Sequence, residues 1–194
     1  MVNNFRMGIL ASLFAILTAV GALIRIPFPM VPLSLQTLMV ILAGLVLGSR
    51  YGALSQVIYI MLGLMGLPVF TGGGGIHYIF HPTFGFLLGF IAGAWLAGSS
   101  PMRKRKGPGN YIIKALLATA GIYLCGILCL YLNLNFLAGK PVTLFQAVQI
   151  GMIPFIPGDI LKILAASFLA SRIIPFLEER GFLGPVEKMR RDIS

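Results

Sequence analysis

Apolar residues fill this chain in long uninterrupted runs and do not alternate with polar ones. Residues 7–24, 33–48, 51–67, 83–98, 111–132 and 156–174 form six such runs, each near the roughly 20 residues a helix needs to cross a bilayer. Continuous runs predict helices and argue against a barrel, whose strands read as short alternating segments. The breaks between runs carry turn chemistry. Pro27, Pro29 and Pro32 stop the first helix by removing N–H donors and fixing φ. Ser49-Arg50 is a tight turn, and Gly66-Leu67-Pro68 opens a loop holding Gly72, Gly73, Gly74 and Gly75. Ser99-Ser100-Pro101 and the run Arg103-Lys104-Arg105-Lys106 form a solvated loop, and residues 133–142 a polar connector. Residues 143–151, with Gln146 and Gln149, predict a short helix, at the outer interface or re-entrant, and Pro175 is expected to end the last span and begin a tail, 175–194.

Composition turns six apolar runs into a membrane assignment. Of 194 residues 58% are hydrophobic and 10% charged, with a mean hydropathy of +0.94; a soluble domain carries about 25% charged residues. The expected architecture is a single all-α integral membrane domain, 1–194, of six transmembrane helices. The net charge of +10 does not indicate nucleic acid, because it sits in loops and tail. Six spans put Arg6, Arg50, Arg103, Lys104, Arg105, Lys106, Lys114, Arg172, Arg180, Lys188, Arg190 and Arg191 on one side, and Arg25, Lys140 and Lys162 on the other. By the positive-inside rule both termini are cytoplasmic, in a multi-pass protein of the cell membrane. The proline segment, the glycine loop and the start of the last span then share the outer face. The first run has signal-peptide features. Ala11, Ala15 and Ala19, however, recur every four residues as a small-residue stripe that admits another helix closely, and the run is read as a retained span. Cys125 and Cys129, one helical turn apart, are read as packing residues.

Little of this chain suits catalysis. It holds neither H-E-x-x-H nor a phosphate loop, since Gly139-Lys140 runs into Pro141. Asp159 is the only acid placed between apolar runs, so a two-acid mechanism lacks a partner. Lys162, three residues on, shares its helical face. Two charges in so apolar a setting are costly and point to function. Asp159 after Pro157-Gly158 fits a helix N-cap with Lys162 as ion-pair neighbour. It fits equally a pocket in which the carboxylate accepts from ligand N–H groups and the ammonium donates to an oxygen. The glycine loop also has two readings, a flexible turn or a bare backbone approaching a ligand. His77 and His81 are four apart, but glycines before them and Pro82 after them argue against the helix a metal pair would need, and no metal site is expected.

Four separated motifs, Pro32-Leu33-Ser34-Leu35-Gln36, Gly66-Leu67-Pro68-Val69-Phe70 with its glycine loop, Pro82-Thr83, and Pro154-Phe155-Ile156-Pro157-Gly158-Asp159-Ile160-Leu161-Lys162, together resemble the BioY family. Those proteins are biotin-specific substrate-binding (S) components of energy-coupling-factor (ECF) transporters. The resemblance implies an S-component fold of six helices and high-affinity biotin binding. It implies no cofactor of the chain's own, with ATP used by two ATPase partners joined through a transmembrane coupling subunit. Carried over by motif, Gln36, Gly72–Gly75, His77, Tyr78, Thr83, Asp159 and Lys162 would bind biotin, with Lys162, His77 and backbone N–H groups as candidates for its carboxylate. Ala11, Ala15 and Ala19 would dock onto the coupling subunit. The competing readings are an S component for another vitamin, a stand-alone small-solute carrier, an intramembrane enzyme and a structural assembly subunit.

Overall fold

A computed structural model describes residues 2–26, 31, 33–99, 108–180 and 182. Pro27, Pro29 and Pro32, the basic run 103–106 and most of the tail lie outside the described residues. Helix α1, Val2–Leu23, is followed by two short antiparallel strands, β1 (Arg25–Ile26) and β2 (Leu33–Ser34), paired Arg25 to Ser34 and Ile26 to Leu33. Helices α2 (Gln36–Leu64), α3 (Phe84–Gly98), α4 (Pro108–Leu132), α5 (Leu144–Gly151) and α6 (Ile156–Glu179) follow. Single turns of tighter helix at Ile76–Phe80 and Ile153–Phe155, and a wider one at Asn133–Leu137, lie between them. Among the described residues four segments are long and apolar enough to cross a membrane, Asn4–Leu23, Gln36–Leu64, Gly109–Leu137 and Leu144–Glu179, and Phe84–Gly98 is a shorter apolar helix.

The second and third expected spans are the two arms of α2. Gly48 breaks the helix with φ 82° and ψ 176°, a conformation glycine reaches without steric cost. The chain folds back there. Gln36 Nε2 donates to the Tyr59 hydroxyl at 2.5 Å, two atoms that a straight helix would hold about 34 Å apart. Gly44 and Gly52 pack directly, a Cβ on Gly52 falling 2.8 Å from the Gly44 Cα.

Glycine lets the remaining helices approach just as closely. Gly85, Gly89 and Gly93 form a stripe on α3 facing Cys129, Ile122 and Ala118 of α4, and Gly44 of α2 meets Ala94 and Ala97 of α3. Without a hydrophobic drive between helices in lipid, such backbone proximity supplies the packing. α1 packs on α2, and Ala11 and Ala15 are buried there, 0% and 1% exposed. Large apolar side chains such as Leu124, Leu161 and Phe168 point outward, where lipid replaces water.

Two core clusters mark the two ends of the bundle. Tyr51 donates to Asn4 at 3.3 Å, and Gly98 abuts Gly48 and Ser49. One core cluster then joins Met7, Leu47, Ala97, Ala115 and Ile174. Arg6, Arg50, Arg172 and Arg180 lie toward this end. The second cluster joins Val31, Tyr59, Phe70, Tyr78, Phe86 and Phe155 at the other end.

Two local expectations are corrected. α6 runs through Pro175 to Glu179; the proline removes one backbone bond, and burial of Ile174 with Leu177 packed beside it keeps the helix going. Asp159 does not cap α6 either. The N-cap is Phe155, and the carboxylate lies inside the first turn with side-chain partners.

Candidate functional site

The hairpin of α2 and the start of α6 place the polar residues of one site. Leu35 N–H donates to the carbonyls of Gly21 (3.1 Å) and Ile24 (3.2 Å), tying the entry of α2 to the exit of α1. Ser34 donates to Gln36 Oε1 at 2.9 Å, and Tyr59, which receives Gln36 Nε2, passes its own proton to the Val69 carbonyl at 2.9 Å. On α6, Lys162 Nζ donates to Asp159 Oδ1 at 3.0 Å, with both side chains about nine-tenths buried, and Tyr123 of α4 donates to Asp159 Oδ2.

Ser34, Gln36, Tyr123, Asp159 and Lys162 border a pocket of about 600 Å³, counting its open mouth. Asp159, Lys162, Tyr123 and Thr119 contribute polar surface, as do Ser34, Gln36, Thr37, Thr71 and Thr83; Phe86, Leu87, Phe90, Ile122 and Phe155 supply an apolar wall. Gly126 and Gly151 leave room for the Phe86 ring beside them. A charged pair and hydroxyls set in an aromatic cavity match a small solute that carries a polar head on an apolar body. The lysine compensates the carboxylate's charge, and its ammonium retains donors beyond the one given to Asp159.

Of the expected binding residues, Gln36, Thr83, Asp159 and Lys162 line this pocket, whereas Gly72–Gly75, His77 and Tyr78 do not. The glycine loop closes on protein. Gly75 N–H donates to the Gly63 carbonyl at 2.7 Å, Gly73 N–H to that of Phe70 at 3.1 Å, and Gly74 presses on Leu67. Gly73 and Gly75 have φ of 119° and 103°, so the turn needs glycine whatever it binds. His77 is exposed. Tyr78 is 2% exposed and stands behind Thr83, 3.0 Å from its hydroxyl. Of the small-residue stripe, Ala11 and Ala15 are buried inside the chain, whereas Ala19 is only half-buried. Tyr123, Thr119, Thr37 and Thr71 escaped the sequence reading. Thr119 and Tyr123 carry a signal that reveals them, two polar residues four apart inside an apolar span.

Thr83 also connects the pocket to the surface. Its backbone N–H points at His81 Nδ1 (3.3 Å) and its hydroxyl lies 2.7 Å from the same nitrogen, which therefore accepts in a neutral ring. The imidazole stacks on Tyr78 at 4.7 Å, and desolvation there holds its pKa below the ordinary 6.5. A depressed histidine stabilises the fold in its neutral form. That contribution is complete above pH 6.5 and fades as pH falls through the lowered pKa. Melting of the purified protein should therefore drop on acidification below about pH 6.5, and His81→Gln should flatten this part of the profile.

The family model described as the BioY family matches residues 2–179. The chain belongs to the BioY family. Among curated relatives, the probable biotin transporter BioY of Lysinibacillus sphaericus is 39% identical over 171 residues, covering 85% of each chain. The biotin transporter BioY of Thermotoga maritima is 36% identical over 176 residues, 90% of this chain and 99% of that one. The 2.1 Å crystal structure of the S-component for biotin from an ECF-type ABC transporter superposes with a TM-score of 0.72 at 27% identity, over 88% of this chain and 91% of that one. This BioY chain is therefore a multi-pass, all-helical membrane protein of S-component-like fold, from a transporter family.

Proposed function

We propose that this chain captures biotin within the membrane and mediates its uptake together with an ATP-driven ECF module. The observation that carries this reading is the buried Asp159–Lys162 pair lining an aromatic pocket in a chain of the BioY family. Biotin's ureido ring offers N–H donors and a carbonyl, complementary to a carboxylate and an ammonium side by side. Its thioether ring and aliphatic tail suit Phe86, Phe90, Ile122 and Phe155. Asp159 accepts from the ureido N–H, Lys162 donates to the ureido oxygen, and Gln36 and Thr83 complete the polar lining. Energy comes from ATP on two partner ATPases through a transmembrane coupling subunit; the chain needs no cofactor of its own.

The transport reading includes a topology. α1, the two arms of α2, α3, α4 and α6 make six crossings, and the end that carries Arg6, Arg50, Arg172 and Arg180 faces the cytoplasm. Support comes from the fold-back at Gly48 and from Arg6, Arg50, Arg172 and Arg180 lying toward one end. Calorimetric titration of the detergent-solubilised protein with biotin tests the function; tight stoichiometric binding is expected, and no heat or thermal shift at saturating biotin sinks the reading. Reporter fusions at both termini test the topology, which fails if either reporter is active only outside the cytoplasm.

A further inference from the structure

The strand pair between α1 and α2 places an uncompensated charge beside the pocket. β1 and β2 are antiparallel, with Arg25 opposite Ser34 and Ile26 opposite Leu33. Side chains directly opposite each other in such a pair project from the same face, with Cβ atoms about 4.5–5.5 Å apart. The Ser34 hydroxyl bonds Gln36, and both residues line the pocket, so that face is the pocket side. Arg25 itself is exposed and does not line the cavity; a long side chain across from a lining residue stands at the rim. Its guanidinium makes no hydrogen bond, ion pair or ring contact with any described residue.

Nothing nearby cancels that charge. Asp159 is the one acid at this end among the described residues, and Lys162 neutralises it. Glu178 and Glu179 close α6, about 24 Å along the helix from Lys162. Lys140, whose N–H donates to Leu134 of the pocket-side core cluster, adds a second positive charge. The mouth therefore carries a positive field. A guanidinium this close to Ser34 acts on the pocket from within the Debye length, about 8 Å at physiological salt.

We propose that Arg25 is an electrostatic entry site, drawing an anionic solute to the pocket mouth and favouring it over a neutral analogue. The proposal rests on the biotin reading, since biotin carries a carboxylate at neutral pH and the buried pair takes its uncharged ureido ring. The pair holds the ring; Arg25 sets how fast the anion arrives. Steering by charge acts on association and leaves dissociation to the contacts inside the cavity.

Arg25→Gln and Arg25→Glu test this, because an exposed residue without partners can be changed without loss of the fold. In nanodiscs of zwitterionic lipid at about 20 mM salt, radiolabelled biotin should associate about threefold more slowly with Arg25→Gln and about tenfold more slowly with Arg25→Glu. Dissociation and melting should match the parent. Raising the salt to about 0.5 M should bring the three association rates together. Neutral biotinamide should enter all three at one rate, and Arg172→Gln, at the other end of the bundle, should take up biotin like the parent. Unchanged biotin association in both Arg25 variants overturns the proposal and would assign the guanidinium to lipid headgroups. So does an equal slowing for biotinamide, or a loss seen only in dissociation, which would make Arg25 a brace or a direct contact. Failure of the unmutated protein to bind biotin overturns the transport reading and this proposal with it, whereas normal binding at equal rates in every variant overturns the proposal alone.

Discussion

Replacing Lys162 with methionine, or Asp159 with asparagine, should sharply weaken biotin binding and the fold together, while replacing both together should restore the fold but not the affinity. Each single change strips one member from a pair about nine-tenths buried. The surviving charge then has no counter-ion, which in a protein interior costs about 3–5 kcal/mol. Lys162→Met leaves the carboxylate with only Tyr123 as donor; Asp159→Asn leaves a buried ammonium on a pocket wall that Phe86, Phe90 and Phe155 make largely apolar. Melting of the detergent-solubilised protein should drop clearly in both single variants. The double variant buries no net charge, and neutral replacements of buried ion pairs are often as stable as the pair itself, so its melting should return near the original value. Binding cannot return. Two charge-assisted bonds to the ligand are gone, each worth about 1.5–3 kcal/mol, which together amount to a loss of about a hundredfold or more. Recovery of biotin affinity in the double variant would show the pair to be a structural brace and would remove it from the site.

How far the sequence foresaw this site follows from the range over which each signal acts. The charges were legible because one acid and one base stand out among apolar neighbours, and their three-residue spacing already placed them on one face. Gln36 and Thr83 entered only through the motifs that resemble the BioY family, and the fold puts both on the pocket lining. What Asp159 does was not. Pro157-Gly158-Asp159 carries a local N-cap pattern, and the actual helix starts earlier because Ile153–Phe155 has already turned and Tyr123, 36 residues away, supplies the carboxylate's second partner. No local pattern records a contact across that separation. The two readings of the glycine loop, a flexible turn or a bare backbone approaching a ligand, could not be told apart locally; Gly74 meets Leu67 and Gly75 bonds to Gly63, contacts that only the fold shows. The Ala11–Ala15 stripe was legible as a packing face, but the chain's own second helix has the first claim on it.

Gly89→Leu should prevent assembly of the bundle, and the reason lies in the α3 stripe. A Cβ at Gly89 would sit 2.7 Å from the Ile122 carbonyl oxygen and 3.0 Å from its Cα. Both are backbone atoms of α4, so no rotamer change relieves the clash and the helices must separate. Overpacking in a core that side chains can adjust costs about 1–3 kcal/mol; here the displaced partner is a whole helix that also carries Ile122 and Tyr123 into the pocket. Expected outcomes are aggregation on extraction from the membrane, or a melting temperature too low to measure, with biotin binding lost as a consequence. Gly8→Leu is the control, because nothing lies within 4 Å of a Cβ there, and the variant should extract and bind like the parent. Normal melting of Gly89→Leu would mean that α3 and α4 do not touch through this stripe. An intermediate result with Gly89→Ala, lower melting but retained affinity, would fit a contact that sets helix spacing and reaches the ligand only through the position of Tyr123.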